Sequence, residues 1–167
     1  MKVLGVILNM VSGFVERLSM WPSFFAILAM VVMVFVSVFS RYFGKPLQPV
    51  EEFTGYLAAI ITMFSLAYIL KRSSHISVDF IPQLLSPKQR NALEAVTMLI
   101  SLGIVILLLV AGTRLAIESL VTNRLAWTMM ETPLGYVQLI IPVGLTLFVF
   151  QIVYALVNKF RVLFSRG

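Results

Sequence analysis

The chain has 167 residues, 60% hydrophobic and 12% charged, with no cysteine and a formal net charge of +6; its mean hydropathy is +0.99. A soluble domain of this size cannot hide that much apolar surface, but a bilayer can. Disulfides and thiolate metal sites are excluded, and no basic run interleaved with aromatics points to nucleic acid as a partner.

The first twenty residues, MKVLGVILNMVSGFVERLSM, set Lys2, Gly5, Asn9, Ser12, Glu16 and Ser19 at spacings of three and four. That keeps them on one helical face, with Val3, Ile7, Met10, Phe14 and Leu18 elsewhere. The pattern predicts an amphipathic helix over about 2–19 lying in the membrane interface. Trp21 and Pro22 then mark the turn into the first span, since Trp favours the interface and Pro is tolerated in a first helical turn. Spans are expected over about 20–41, 52–71, 88–120 and 133–158. At about 1.5 Å per residue, about 20 apolar residues cross the hydrocarbon layer. Backbone groups in lipid must be satisfied internally, so the spans are helices. The fold class is all-α: one integral membrane domain over 1–167, a four-helix bundle with an N-terminal interfacial amphipathic helix.

Between spans 1 and 2, Gly44, Pro46 and Pro49 form a turn set. Ser86 reads as an N-cap and Pro87 as the first position of the third helix. That helix is long for one crossing, which implies tilt or projection. Arg114 and Glu118, four apart, can pair near its end. Trp21, Trp127 and Tyr136 read as interface anchors. Pro142, inside the fourth span, should kink it or loosen one hydrogen bond.

Of the 13 Lys and Arg residues, only Arg41, Lys45, Arg114 and Arg124 fall on the side opposite the termini. The positive-inside rule puts both termini, and the loop between spans 2 and 3, in the cytoplasm.

The candidate polar residues sit at the span ends. Arg41 closes span 1, and Glu51 and Glu52 open span 2. Acids at a helix N-terminus are favoured by the macrodipole. A pair between Arg41 and either glutamate would tie the two spans, while a solvated rim is the plainer reading. Small and polar stripes on span 1 (Ser23, Ala26, Ser37, Ser40) and span 2 (Glu52, Gly55, Ala59, Thr62) suit close helix contact. His75 and Asp79, in HISVDF, could share a helix face as two metal ligands. Two ligands seldom make a site, and β-branched neighbours favour an extended surface connector with His75, Ser77 and Asp79 on one side. No charge lies near the middle of a span, where it would mark a pathway. A membrane enzyme would need clustered His, Asp or Glu at one depth, so no catalytic residue, cofactor or metal is expected.

The segments FSRYFGKPLQPVEEF, AYILKRSSHISVDFIPQLLSPKQR and TPLGYVQLIIPVG, in this order on four spans, resemble the small membrane (DctQ-like) subunit of tripartite ATP-independent periplasmic (TRAP) transporters. The likeness covers about residues 20–158. It implies a bacterial inner-membrane accessory or scaffold subunit without catalysis, partnered by a large membrane subunit that holds the substrate and sodium sites. It also implies a periplasmic binding protein that delivers an organic acid. Carried onto this chain, it puts Arg41, Glu51 and Glu52 on the periplasmic side near those partners, and it gives His75 and Asp79 the shaping of the cytoplasmic loop. Membrane lipids are the remaining partner. The alternative is a self-sufficient small transporter or channel acting as a homo-oligomer.

Overall fold

Long apolar runs in lipid must close their own backbone hydrogen bonds, and the described residues of this chain do so with five α-helices. The computed structural model describes residues 2–45, 47–73, 87–128 and 130–165. The helices are α1 (Lys2–Tyr42), α2 (Gln48–Ser73), α3 (Pro87–Val121), the short α4 (Leu134–Gln138) and α5 (Ile140–Ser165). Four of them, all but α4, are long and apolar enough to cross a membrane. Among the described residues there is no strand beyond one isolated bridge, Leu125 with Pro133. The fold is an all-α helical bundle.

The separate interfacial helix over 2–19 is not what forms. Residues 2–42 are one helix with Pro22 inside it, so Trp21–Pro22 is no turn. Pro22 takes one N–H out of the ladder without ending the helix, and the Ser23 hydroxyl bonds the Ser19 carbonyl at 3.0 Å. The polar face read from the spacing is real, but it points inward. Ser12, Ser19 and Ser23 are buried, with Val15 and Ala26 beside them. Met10, Phe14, Leu18, Trp21, Phe25, Leu28, Val32, Phe35 and Phe39 run down the outward side. In lipid the apolar face needs no protein partner, whereas small and polar residues gain from close helix contact.

The helices run alternately up and down. α1 meets α2 at Glu16–Lys71 and again at Arg41–Glu51, so those two are antiparallel. α5 is the centre of the bundle, packing on α1, α2, α3 and α4, while α3 rests mainly on α5 and α4. One third (33%) of the apolar stretch of α5 is buried, against 6–17% in the other three spans. Two of its faces are used. Leu147 joins Val15 and Ala67 on the α1–α2 side. Leu145, Ile152 and Leu156 join Val105 of α3 on the other. α1 at 41 residues and α3 at 35 are about 60 and 50 Å long at 1.5 Å per residue. Both exceed the roughly 30 Å hydrocarbon core, so they tilt or project beyond it.

Helix ends at the loop side are closed by left-handed residues. Gly44 has φ +71°; the Lys45 N–H bonds the Ser40 carbonyl at 2.9 Å and the Gly44 N–H bonds that of Arg41 at 3.0 Å. This is a Schellman motif. Asn123, φ 47°, repeats it on α3, with Arg124 N–H to Ser119 at 3.0 Å and Asn123 N–H to Leu120 at 3.3 Å. The break at Leu139 between α4 and α5 precedes Pro142, whose ring clashes with and whose missing N–H leaves open the carbonyl four residues back, that of Gln138.

Gly144 sets the α2–α5 distance: a Cβ there would lie 2.6 Å from Met63 Cβ and 2.8 Å from the Met63 carbonyl oxygen. A backbone neighbour cannot swing away. Gly144→Ala should therefore destabilise the fold by about 1–3 kcal/mol through overpacking. Gly103→Ala, on α3 with nothing within 4 Å of the new Cβ, should be neutral or stabilising by up to about 1 kcal/mol. Denaturant unfolding of the two variants in micelles, followed by circular dichroism, checks the contrast.

Candidate functional site

The polar side chains gather at the two ends of the bundle. At the loop end, Arg41 in the last turn of α1 meets Glu51 in the first turn of α2. The Schellman turn at Gly44 folds the chain back so that residues ten apart face each other. Both side chains are well exposed, 59% and 68%, so the pair contributes less than about 1 kcal/mol by itself. Glu52 takes a different set of partners. The Tyr56 hydroxyl donates to it from one turn along α2, and the Thr128 and Thr132 hydroxyls reach it from the α3–α4 loop. That loop is braced: Ala126 N–H bonds the Thr132 carbonyl and Leu134 N–H bonds that of Arg124, both at 2.9 Å. Glu52 thus ties α2 to a connection more than seventy residues away.

At the end carrying the termini, polar contacts join α1 to α5, α1 to α2 and α3 to α5. Ser12 Oγ donates to Gln151 Oε1 at 3.0 Å, and Gln151 Nε2 donates to the Ser12 carbonyl at 3.1 Å. Gln151 is only 2% exposed, so α1 and α5 are clamped by a reciprocal pair. One turn further out, the Tyr154 hydroxyl donates to Asn9 Oδ1. Glu16 takes Lys71 at 2.7 Å and Arg72 at 3.4 Å, joining α1 to α2, and Arg72 also lies over the Tyr68 ring at 5.6 Å. Lys159 pairs with Glu94, joining α5 to α3. The Glu16–Lys71 side chains are 22% and 24% exposed, so this pair counts for more than Arg41–Glu51.

Of the residues expected from sequence, Arg41 and Glu51 come together and Glu52 does not join them. Trp127 stands fully exposed and Tyr136 largely exposed at the loop end, while Trp21 lies toward the other end. His75 and Asp79 lie outside the described residues. Glu118 pairs with Arg124 at 3.9 Å and not with Arg114, because the turn at Asn123 brings Arg124 back over α3. The stripe on α2 does not carry the packing: Thr62 is exposed and bonds its own helix at Ala58, and Gly55 has nothing within 4 Å of a would-be Cβ. The α2 contact is made at Met63 and Ala67. Gln151, Tyr154, Thr128 and Thr132 were not singled out. Gln151 carried a signal, as a lone amide in an otherwise apolar run, VFQIVYALV.

Among the described residues, no group of three or more His, Asp or Glu could hold a metal. The arrangement joins helices and holds loops, and its polar groups are spent on one another. The sequence model of one family, described as tripartite ATP-independent periplasmic transporters, DctQ component, matches residues 30–162. The chain belongs to that family. It is a small membrane subunit of a TRAP transporter and a multi-pass inner-membrane protein, and the DctQ family is a transporter component and not an enzyme family. None of the curated proteins matches the chain closely enough to count as a relative. The matched region starts inside α1 and takes in Arg41, Glu51, Glu52, Lys71, Arg72, Glu94, Gln151 and Lys159; Asn9, Ser12 and Glu16 precede it.

In this DctQ chain the Ser12–Gln151 clamp should be measurable. A double-mutant cycle of Ser12→Ala and Gln151→Ala should give a coupling of about 0.6–1.7 kcal/mol, the range of interhelical hydrogen bonds in membranes. Unfolding free energies of the four proteins in mixed micelles supply the cycle.

Proposed function

We propose that this chain is the stationary scaffold subunit of a sodium-coupled TRAP transporter that imports an organic acid. The large membrane subunit carries the substrate and sodium sites. The small subunit widens the platform against which the mobile part of the large one works. A periplasmic binding protein brings the organic acid to the pair. Both termini lie in the cytoplasm, and the loop end with Arg41, Glu51, Glu52 and Trp127 faces the periplasm.

What supports the reading is where charge is absent. Residues 18–40, 53–70, 95–113 and 132–158 contain no Asp, Glu, Lys or Arg. A charge in mid-membrane is costly and usually marks a substrate or ion path; here the ionic groups stay at the ends, in cross-helix pairs. α3 rests mainly on α5 and α4, and only 11% of its apolar stretch is buried, which leaves it a broad face for a larger membrane partner.

The direct experiment is uptake into proteoliposomes. Accumulation of an organic acid from a panel should need this chain, the large subunit and the binding protein together. It should also need an inward sodium gradient and vanish when potassium replaces sodium. Accumulation by vesicles holding this chain alone would reject the scaffold reading in favour of a self-sufficient carrier.

Orientation has its own check. A Lys45→Cys variant should react with a membrane-impermeant maleimide added to intact spheroplasts. Labelling only after the membrane is opened would reverse the topology.

A further inference from the structure

Arg17 follows Glu16 on α1 and faces out of the bundle. It lines an open cleft with Phe14, Leu18, Trp21, Pro22 and Phe25. The four apolar side chains other than Pro22 are exposed on the outward side of the helix. Trp21 stacks on Phe25, with ring centroids 5.7 Å apart and planes 24° apart, which gives the cleft a flat aromatic wall. Among the described residues, no carboxylate forms an ion pair with Arg17.

The depth of this cleft follows from the neighbouring pair. Glu16 holds Lys71 and Arg72, the last residues of the apolar span Pro49–Arg72. Arg17 therefore sits where that span ends, at the headgroup level. Trp21 and Phe25 lie about 6 and 12 Å further into the apolar layer, at 1.5 Å per residue. Arg17, Lys71 and Arg72 stand against one acid, Glu16, so this part of the surface is net positive.

We propose that the cleft binds one anionic phospholipid, its phosphodiester on Arg17 and an acyl chain along Leu18, Trp21 and Phe25. A guanidinium matches phosphate with two parallel N–H donors. The apolar lining runs from that cation toward the membrane interior, as the lipid itself does. Basic side chains at the headgroup level favour anionic lipids over zwitterionic ones. A protein segment filling the same cleft would have to carry an acid to Arg17, whereas a phospholipid supplies one by its construction. The inference needs only that the chain spans a membrane, not that it works as a scaffold.

The test uses the protein purified from membranes with the subunits that accompany it, placed in nanodiscs. The discs carry trace photoactivatable phosphatidylglycerol or phosphatidylcholine with a diazirine on the acyl chain. Peptide mapping after illumination should show the segment 14–25 labelled several-fold more by phosphatidylglycerol than by phosphatidylcholine. Arg17→Gln should bring that ratio close to one and leave labelling of α3 unchanged, and Arg17→Lys, which keeps the charge but not the fork, should fall between. Equal labelling by both lipids in the unaltered protein means that Arg17 only reaches for water, and it overturns the proposal. So does a preference that survives Arg17→Gln, or a segment that cross-links to another subunit in place of lipid. Should Arg17→Gln fail to assemble, the ratio in the unaltered protein still decides.

Discussion

Two helices in lipid gain little by pressing leucines together, because acyl chains are as apolar as the side chains they replace. Contact has to come from closeness and from polar groups that find each other. The inward side of α1 shows both. Ser12 and Gln151 of α5 satisfy each other in both directions. Ser19, Ser23 and Ala26 are buried on the same side, where small side chains permit close helix approach. On α5, Gly144, Leu147 and Gln151 follow at three and four residues and turn one face to α1 and α2, while Leu145, Ile152 and Leu156 turn another to α3. α5 joins the two sides of the bundle, because one of its faces meets α1 and α2 and the other meets α3.

The same constraint explains the ends. A lone charge near the hydrocarbon boundary is costly, and a lone pair at the surface contributes little. The chain puts its more shielded pairs, Glu16–Lys71 and Glu94–Lys159, where α1, α3 and α5 meet or pass the end of α2. At the loop end the ion pair is exposed, and alignment comes instead from backbone geometry: two Schellman turns and a braced α3–α4 loop. Glu52 accepts from the Tyr56 hydroxyl there, with the Thr128 and Thr132 hydroxyls of the α3–α4 loop close to its carboxylate.

The fold class and the family were legible from sequence because both rest on features that survive without coordinates: charge-free stretches long enough to span, and polar motifs in a fixed order. The spacing of Asn9, Ser12, Glu16 and Ser19 was also legible, but its direction was not. An amphipathic period looks the same whether its polar side meets water or another helix, and only the partner residues Tyr154, Gln151 and Lys71 decide. Arg41 offered two neighbouring acids four and more residues past a turn, and the turn geometry chose Glu51. The Glu52 cluster was out of reach, since Thr128 and Thr132 lie in a loop whose approach to α2 is set by tertiary packing. Helix spacing allows Glu118 to pair with Arg114, yet the left-handed Asn123 brings Arg124 to it instead. Helix periodicity fixed which residues share a face, and turn geometry or a distant partner decided which of them meet.

A subunit that changes shape during transport needs an element with two arrangements of similar energy. Little among the described residues offers one. Gly144 against Met63 and Gly135 against the Leu120 backbone are close-fitted contacts, and sliding either by a fraction of a turn would drive side chains into backbone. The polar clamps at Ser12–Gln151 and Glu16–Lys71 would also have to open in a medium with few substitutes for them. On the proposed reading, this is what a fixed platform requires: internal contacts already matched, with its apolar outer surface left for lipid and for the partner that moves.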